Sequence, residues 1–219
     1  MRMPDICGCI TRVDDLEAAL KAAESVALYE VRIDLIGPDW RRLVGKLPHP
    51  WIACNRSVQE GGKACAGVPE RLEVLREAVE RGAAYVDIEL ATPDVGTQLR
   101  LLDRKAVVIL SHHNFNGTPD LKTLRDIAAS ERESGADICK VVTTCNCMAD
   151  NLTVLELCRE QVGYGVVSFG MGTLGAVSRV LAPLHGARFT YASLEEGHEA
   201  APGQLTVEDM AALYSGIRQ

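Results

Sequence analysis

Aromatic residues are scarce in this chain of 219 residues, at 5%. With 47% hydrophobic and 24% charged residues, the composition is still that of an ordinary soluble globular protein. Positive charge is also in deficit. Lysine and arginine number 23 against 30 aspartates and glutamates, a net charge of −7. That balance disfavours non-specific binding to nucleic acid or an anionic membrane, so neither is an expected partner. It leaves room for a few cations to set a positive field at one site. No long hydrophobic run is present. The longest uncharged stretch, Val162 to Ser178, holds five glycines and two serines. It reads as a strand, a glycine-rich loop and a helix start rather than a membrane span. No targeting segment is visible either. Met1-Arg2-Met3-Pro4-Asp5 runs into an apolar stretch, Ile6 to Ile10, that is too short for a signal peptide. A cytoplasmic location is the expectation.

Cysteine is abundant, with Cys7, Cys9, Cys54, Cys65, Cys139, Cys145, Cys147 and Cys158, yet zinc-knuckle spacing is missing. Cys7 and Cys9, like Cys145 and Cys147, are separated by one residue. A structural zinc site uses C-x2-C with a second such pair or two histidines. Neither a metal nor a cofactor is expected, and the thiols read mostly as reduced, small, buried apolar residues. There is no linker, repeat or low-complexity segment, so residues 1–219 read as one domain.

What is there is an alternation of short apolar runs and charged amphipathic segments. Candidate strands are residues 6–10, 27–35, 51–56, 84–90, 106–111, 137–143, 164–168 and 187–192. The helical segments between them have recognisable ends. Asp14 precedes one, Pro69 opens another that Gly82 ends, Thr118-Pro119 opens the one Gly135 closes, and Thr206 stands ready to cap the last. Eight strands alternating with about eight helices is the count of a (β/α)8 TIM barrel, an α/β fold. An open doubly wound sheet would call for G-x-G-x-x-G after the first strand, where Cys9-Ile10-Thr11-Arg12 stands instead.

Parity along the strands carries more information. Alternate residues of a strand share a face. Tyr29, Val31, Ile33 and Leu35 oppose Glu30, Arg32 and Asp34, and Val86, Ile88 and Leu90 oppose Asp87 and Glu89. Ile52, Cys54 and Arg56 share a face, as do Ile138, Lys140 and Val142. The outer face of a barrel strand packs on helices, so the charged set points inward. One such strand fits a structural ion-pair network; four imply a polar pocket inside the barrel.

Lys140 lies in an apolar setting with no carboxylate adjacent in sequence. It reads either as a snorkelling lysine or as a buried amine. In the second case burial and cations such as Arg32 or Arg56 lower its pKa and leave more neutral amine to attack a carbonyl. Ser111-His112-His113-Asn114-Phe115 ends the fifth strand, where at most one histidine faces the pocket and can shuttle protons. Ser168 to Gly175 form a glycine-rich turn into a helix. Its amides, with Arg179, suit a phosphate or a carboxylate equally.

Together these pieces resemble the type I 3-dehydroquinate dehydratases over nearly the whole chain. The family's E-x-R-x-D stands as Glu30 to Asp34, R-x3-E-G-G as Arg56 to Gly62, and the acidic fourth strand as Asp87 to Leu90. S-x-H-[DN]-F stands as Ser111 to Phe115, and the Schiff-base lysine follows as Lys140. Met171-Gly172, Ser178-Arg179 and the late loop Ala201-Pro202-Gly203-Gln204 complete the order. The resemblance implies that Lys140 forms an imine with the substrate ketone. His113 is then the general acid/base, with Glu60 orienting it. Glu30, Arg32 and Arg56 bind or position substrate, Arg179 takes its carboxylate, Met171 packs on the ring, and Gln204 lies on a closing loop. Asp34, Asp87 and Tyr191 support these from behind, and a homodimer is implied.

Three positions depart from the family pattern. Ala200 replaces a common serine, Tyr191 a common phenylalanine, and Cys7 and Cys9 flank a first-strand position where a serine can contact substrate. The competing readings are a class I aldolase acting on a sugar phosphate and a non-catalytic, redox-sensing barrel.

Overall fold

The computed structural model describes residues 3–101, 105–159 and 164–217. The first two residues of the chain and the start of the uncharged run at Val162 lie outside the described residues. Eight strands form one parallel sheet: β1 (Ile6–Ile10), β2 (Leu28–Arg32), β3 (Trp51–Cys54), β4 (Tyr85–Glu89), β5 (Val107–Asn114), β6 (Ile138–Thr144), β7 (Gly165–Met171) and β8 (Thr190–Ser193). Their order is β7-β6-β5-β4-β3-β2-β1-β8. Arg188 N donates to Val166 O at 2.8 Å, bridging the gap between β7 and the run into β8. The sheet thus curls into a nearly closed (β/α)8 TIM barrel, a single domain.

Helices follow the strands: α1 (Asp15–Lys21), α2 (Ile33–Ile36), α3 (Trp40–Val44), α4 (Val68–Glu80), α5 (Val95–Leu101), α6 (Leu121–Glu133), α7 (Asp150–Arg159), α8 (Ala176–Leu181) and α9 (Val207–Ile217). Capping chemistry places several starts. Asp120 accepts from Thr123 N at 2.8 Å ahead of α6, and Thr206 Oγ accepts from Asp209 N at 3.1 Å ahead of α9. At α1 the cap is not Asp14, whose side chain caps nothing. Asp15 ties the turn instead, accepting from Thr11 N at 2.7 Å and Arg12 N at 2.9 Å.

The alternation of side chains divides the barrel into an outer and an inner set. Tyr29, Val31, Trp51, Ala53, Val86, Ile88, Val108 and Leu110 pack outward in one cluster, and Cys139, Val141 and Val166 face α6 and α7 in another. Inward, the lower half of the barrel is plugged by Cys7, Leu28, Ile52, Ile109, Ile138, Val167 and Phe189. The charged residues sit above that plug, so their strands hold a polar layer on an apolar floor. Six cysteines are buried; Cys65 and Cys147 are exposed.

Several strand ends differ from the sequence expectation. β2 stops at Arg32, and Ile33–Ile36 coil into α2, so Asp34 leaves the strand and turns back on Arg32. Arg56 lies beyond the end of β3 yet remains buried. β7 runs on to Met171 despite its glycines. A side chain at Gly170 would lie 2.2 Å from Cys145 Sγ, so glycine there admits a neighbouring loop rather than ending the strand.

Candidate active site

Strand ends and loops at the carboxyl end of the barrel enclose a cavity of about 120 Å³, the face where barrel enzymes build their sites. Glu30, Arg32, Arg56, Glu60, His113 and Lys140 line it, together with Met171, Arg179, Tyr191 and Gln204. Two of the expected residues stand behind the wall: Asp34 grips Arg32 through two bonds of 2.9 and 2.8 Å, and Asp87 stands beneath Lys140. Tyr191, expected in support, lines the cavity itself, and its ring lies 4.2 Å from Lys140 Nζ.

Lys140 is buried, and its Nζ lies 2.8 Å from Asp87 Oδ2 and 3.5 Å from Glu30 Oε1. The expectation of a lowered pKa is overturned here. Burial pulls the ammonium down and Arg56 adds to that, but Asp87 and Glu30 outweigh both and hold it above the ordinary lysine value. Sequence adjacency hid these carboxylates, which arrive from β2 and β4. The resting amine is a paired ammonium.

Asp87 is itself clamped. Its other oxygen lies 2.7 Å from Arg56 Nη2 and accepts from Ser111 Oγ at 2.6 Å. Burial opposes ionisation, but Arg56 and Lys140 prevail and keep Asp87 far below the carboxylate range. Arg56 also donates to Ser111 Oγ at 2.7 Å and lies 3.7 Å from Glu89. Glu89 in turn is fixed by Arg71 and by Ser57 N at 2.8 Å. Every charge in this layer has an opposite neighbour, the condition for burying so many.

His113, not His112, lines the cavity, two residues along β5 from Ser111, the register partner of Lys140. Its Nδ1 lies 2.8 Å from Glu60 Oε2. Burial, then the cations Arg56 and Lys140, hold its pKa well below the ordinary value, so the ring is neutral at pH 7. Burial raises Glu60 to about 7 against the pull of Arg56. With Glu60 ionised, Nδ1–H donates to it and Nε2 keeps a lone pair for the cavity. The two glycines after Glu60 fit this corner. Gly61 has φ +80°, and a side chain there would come within 2.8 Å of Phe115, which stacks on His113; one at Gly62 would strike the Arg56 carbonyl at 2.1 Å.

Arg179 is buried over the Phe169 ring, 4.4 Å from its centroid. Among the described residues its guanidinium makes one hydrogen bond, Nη2 to Pro202 O at 3.4 Å, its Nε has none, and no ion pair reaches it. Burial lowers it to about 10, still charged at neutral pH. A buried cation without a counter-charge is a receptor for an anion. Part of the backbone half of the expected anion site is already engaged: Gly170 N donates to Ser178 Oγ at 2.9 Å, Gly172 N to Pro202 O at 3.1 Å and Gly175 N to Gly172 O at 3.0 Å.

Sequence reasoning missed Cys9, Cys54, Phe115 and Phe169 as lining residues. Cys9 and Cys54 were within reach of the parity argument, since they share faces with inward residues. Gly8, between the two first-strand cysteines, points outward toward Leu194 and Tyr29; both cysteines point inward, and Cys9 is the one that lines the cavity. Its Sγ accepts from Gln204 Nε2 at 3.0 Å, while Gln204 Oε1 accepts from Ala200 N at 2.7 Å. Glu30, Cys54 and Asp87 bring one ligand atom each within 4.8 Å of the others. The Lys140 ammonium already sits against both carboxylates, which leaves this cluster poorly suited to a divalent ion.

The model of the type I 3-dehydroquinase family matches residues 6–219. A 3-dehydroquinate dehydratase of Dehalococcoides mccartyi is 39% identical over 217 residues, covering 99% of this chain and 97% of that one. The crystal structure of 3-dehydroquinate dehydratase from Aquifex aeolicus VF5 superposes with a TM-score of 0.82 at 26% identity, covering 98% of this chain and 99% of that one. That from Geobacillus kaustophilus HTA426 shares the fold, with a TM-score of 0.86 at 24% identity over 98% of this chain and 91% of its own. On sequence along its whole length and on fold alike, this chain belongs to the type I 3-dehydroquinases.

Proposed function

We propose that the chain dehydrates 3-dehydroquinate to 3-dehydroshikimate by syn elimination through an imine on Lys140, a cytoplasmic step of aromatic amino acid biosynthesis. The observation that carries this reading is the pairing of a buried amine with a neutral, Glu60-tethered imidazole. Both face one small cavity from neighbouring strands.

A ketone is a poor electron sink for loss of an α-proton, whereas a protonated imine is a good one. Lys140 first passes its ammonium proton to the ketone oxygen, and its nitrogen then attacks the carbonyl carbon. A second N–H proton follows to that oxygen, which leaves as water, and the protonated imine remains. His113 Nε2 takes the α-proton, and the C–H electrons move to the iminium nitrogen as an enamine. The enamine then expels the β-hydroxyl, protonated by the same imidazole, so that both groups leave from one face. Hydrolysis of the conjugated imine returns the amine. Arg179 pairs with the substrate carboxylate, while Glu30, Arg32 and Arg56 position its hydroxyls and Met171 packs on its ring. Asp34 and Asp87 hold these groups from behind.

The sugar-phosphate alternative fits less well, because the Gly170, Gly172 and Gly175 amides of the expected phosphate loop are already engaged within the protein. Addition of 3-dehydroquinate should raise the ultraviolet absorbance of a conjugated enone. Substrate deuterated on one face of the α-carbon should lose its label only when that face also bears the β-hydroxyl. Absorbance growth with label lost from the opposite face would exclude the syn course, and no growth would remove the substrate assignment. We also propose a homodimer, on the family resemblance; sedimentation velocity reads it as twice the chain mass, and the single-chain mass would refute it.

A further inference from the structure

Residues between β8 and α9 supply Ala200, Ala201, Pro202 and Gln204 to the cavity wall. Two separate anchors hold this segment. The inner one uses Pro202 O, which accepts from Gly172 N and Arg179, and Gln204, which reaches Cys9. The outer one lies away from the cavity and involves none of the groups given a part in the reaction.

At the outer anchor His198 Nδ1 lies 2.5 Å from Asp15 Oδ1. Asp15 is fully buried, and its other oxygen is already engaged by the backbone of Thr11 and Arg12. Arg12 Nη1 lies 3.2 Å from His198 Nε2, and its Nη2 donates to Gly197 O at 3.3 Å. Thr11 Oγ donates to His198 O at 3.3 Å. A guanidinium has no acceptor, so Nε2 must accept from Arg12 and the ring proton must sit on Nδ1, donated to Asp15. Two further carboxylates face the ring from the same segment: Glu195 Oε2 lies 3.7 Å from Nδ1, and Glu199, bound to Gly197 N at 2.9 Å, feels the charges of His198 and Arg12. The β1–α1 turn therefore grips the segment at four points, two residues before the first wall residue, Ala200.

We infer that His198 is a positioning residue, clasped by Asp15 and Arg12, that holds the Ala200–Gln204 wall closed over the bound substrate. This deepens the proposed dehydratase reading and rests on it for its kinetic part. Opening of the segment lowers the fraction of protein competent to bind, which raises KM in proportion and leaves the chemistry at Lys140 and His113 intact.

The test combines hydrogen exchange across residues 195–205 of the free protein with steady-state kinetics on 3-dehydroquinate. Losing the histidine's charge-assisted bond in His198→Ala should speed exchange there about tenfold and raise KM by at most that factor, with kcat held within about twofold. His198→Asn keeps an N–H at the position of Nδ1 and should restore most of both effects. Arg12 is exposed, so Arg12→Ala tests the clasp without touching the core and should shift both readouts in the same direction by less. Unchanged exchange in His198→Ala and Arg12→Ala, or His198→Asn behaving as His198→Ala, would overturn the clasp. Absence of turnover in every protein, wild type included, would remove the dehydratase reading while exchange still decided on the clasp.

Discussion

One carboxylate of Asp87 carries two cations, with Lys140 Nζ 2.8 Å from one oxygen and Arg56 Nη2 2.7 Å from the other. This arrangement keeps the amine protonated at rest, against the pull of its own burial. Asp87→Asn removes the larger of the two stabilising charges on Lys140, while burial and Arg56 continue to act. The pH at which imine formation becomes fast should therefore move down, read from the rate of borohydride trapping against pH. Urea unfolding should also show a loss of up to roughly 3–5 kcal/mol, because two buried cations lose their nearest carboxylate and keep only longer pairs, among them those to Glu30 and Glu89. A trapping profile that did not move would show that Asp87 does not set the amine.

The Glu60–His113 pair predicts an acid limb in kcat/KM. Glu60 must be ionised to accept Nδ1–H, and its pKa is raised to about 7. Activity should therefore fall as pH drops through that value. Glu60→Gln should abolish this limb, and His113→Ala should lose roughly 10²–10⁴-fold in turnover. A limb that persisted unchanged in Glu60→Gln would assign it to another group.

Arg179 separates binding from stability. Its buried, unpaired charge is a cost to the free protein, since desolvation of the ion is not offset by a counter-ion. Arg179→Met should raise KM by about tenfold or more and keep or raise the melting temperature. A variant with lower melting temperature and unchanged KM would make Arg179 a structural residue.

Glu131 on α6 predicts a pH-dependent stability that has nothing to do with catalysis. It is fully buried, and neither oxygen has a hydrogen bond of normal geometry among the described residues. Burial, then Asp87 and Glu60, hold its carboxyl well above the ordinary value against weaker pulls from the Lys140 backbone and Cys139. A raised carboxyl pKa means the folded state binds the proton more tightly than the unfolded chain. Stability from this group is present below the unfolded value of about 4.3 and declines as pH rises toward the folded one, by at most about 1.4 kcal/mol per pH unit. Glu131→Gln should remove that decline, seen as a flatter curve of unfolding free energy against pH. Identical slopes in the two proteins would refute it.

Period-two alternation made the barrel legible, because Glu30, Asp87 and Lys140 sit on strands whose opposite faces are continuously apolar. It failed where the chain leaves extended geometry. Asp34 and Arg56 share parity with inward residues yet stand beyond β2 and β3, and only tertiary contacts place them. The charge state of Lys140 was misjudged for a related reason. Its partners lie 53 and 110 residues away in sequence, brought beside it by barrel closure. The unpaired state of Arg179, the use of the Gly170 and Gly172 amides, and the His198 clasp are likewise properties of packing between distant loops. No local pattern encodes them.

The central claim is covalent chemistry at Lys140, and intact-protein mass after borohydride reduction in the presence of 3-dehydroquinate tests it most directly. The wild type should gain one stable adduct that maps to Lys140, and Lys140→Ala should gain none. Active, folded wild type that gained no mass, or an adduct that persisted in Lys140→Ala, would contradict the account.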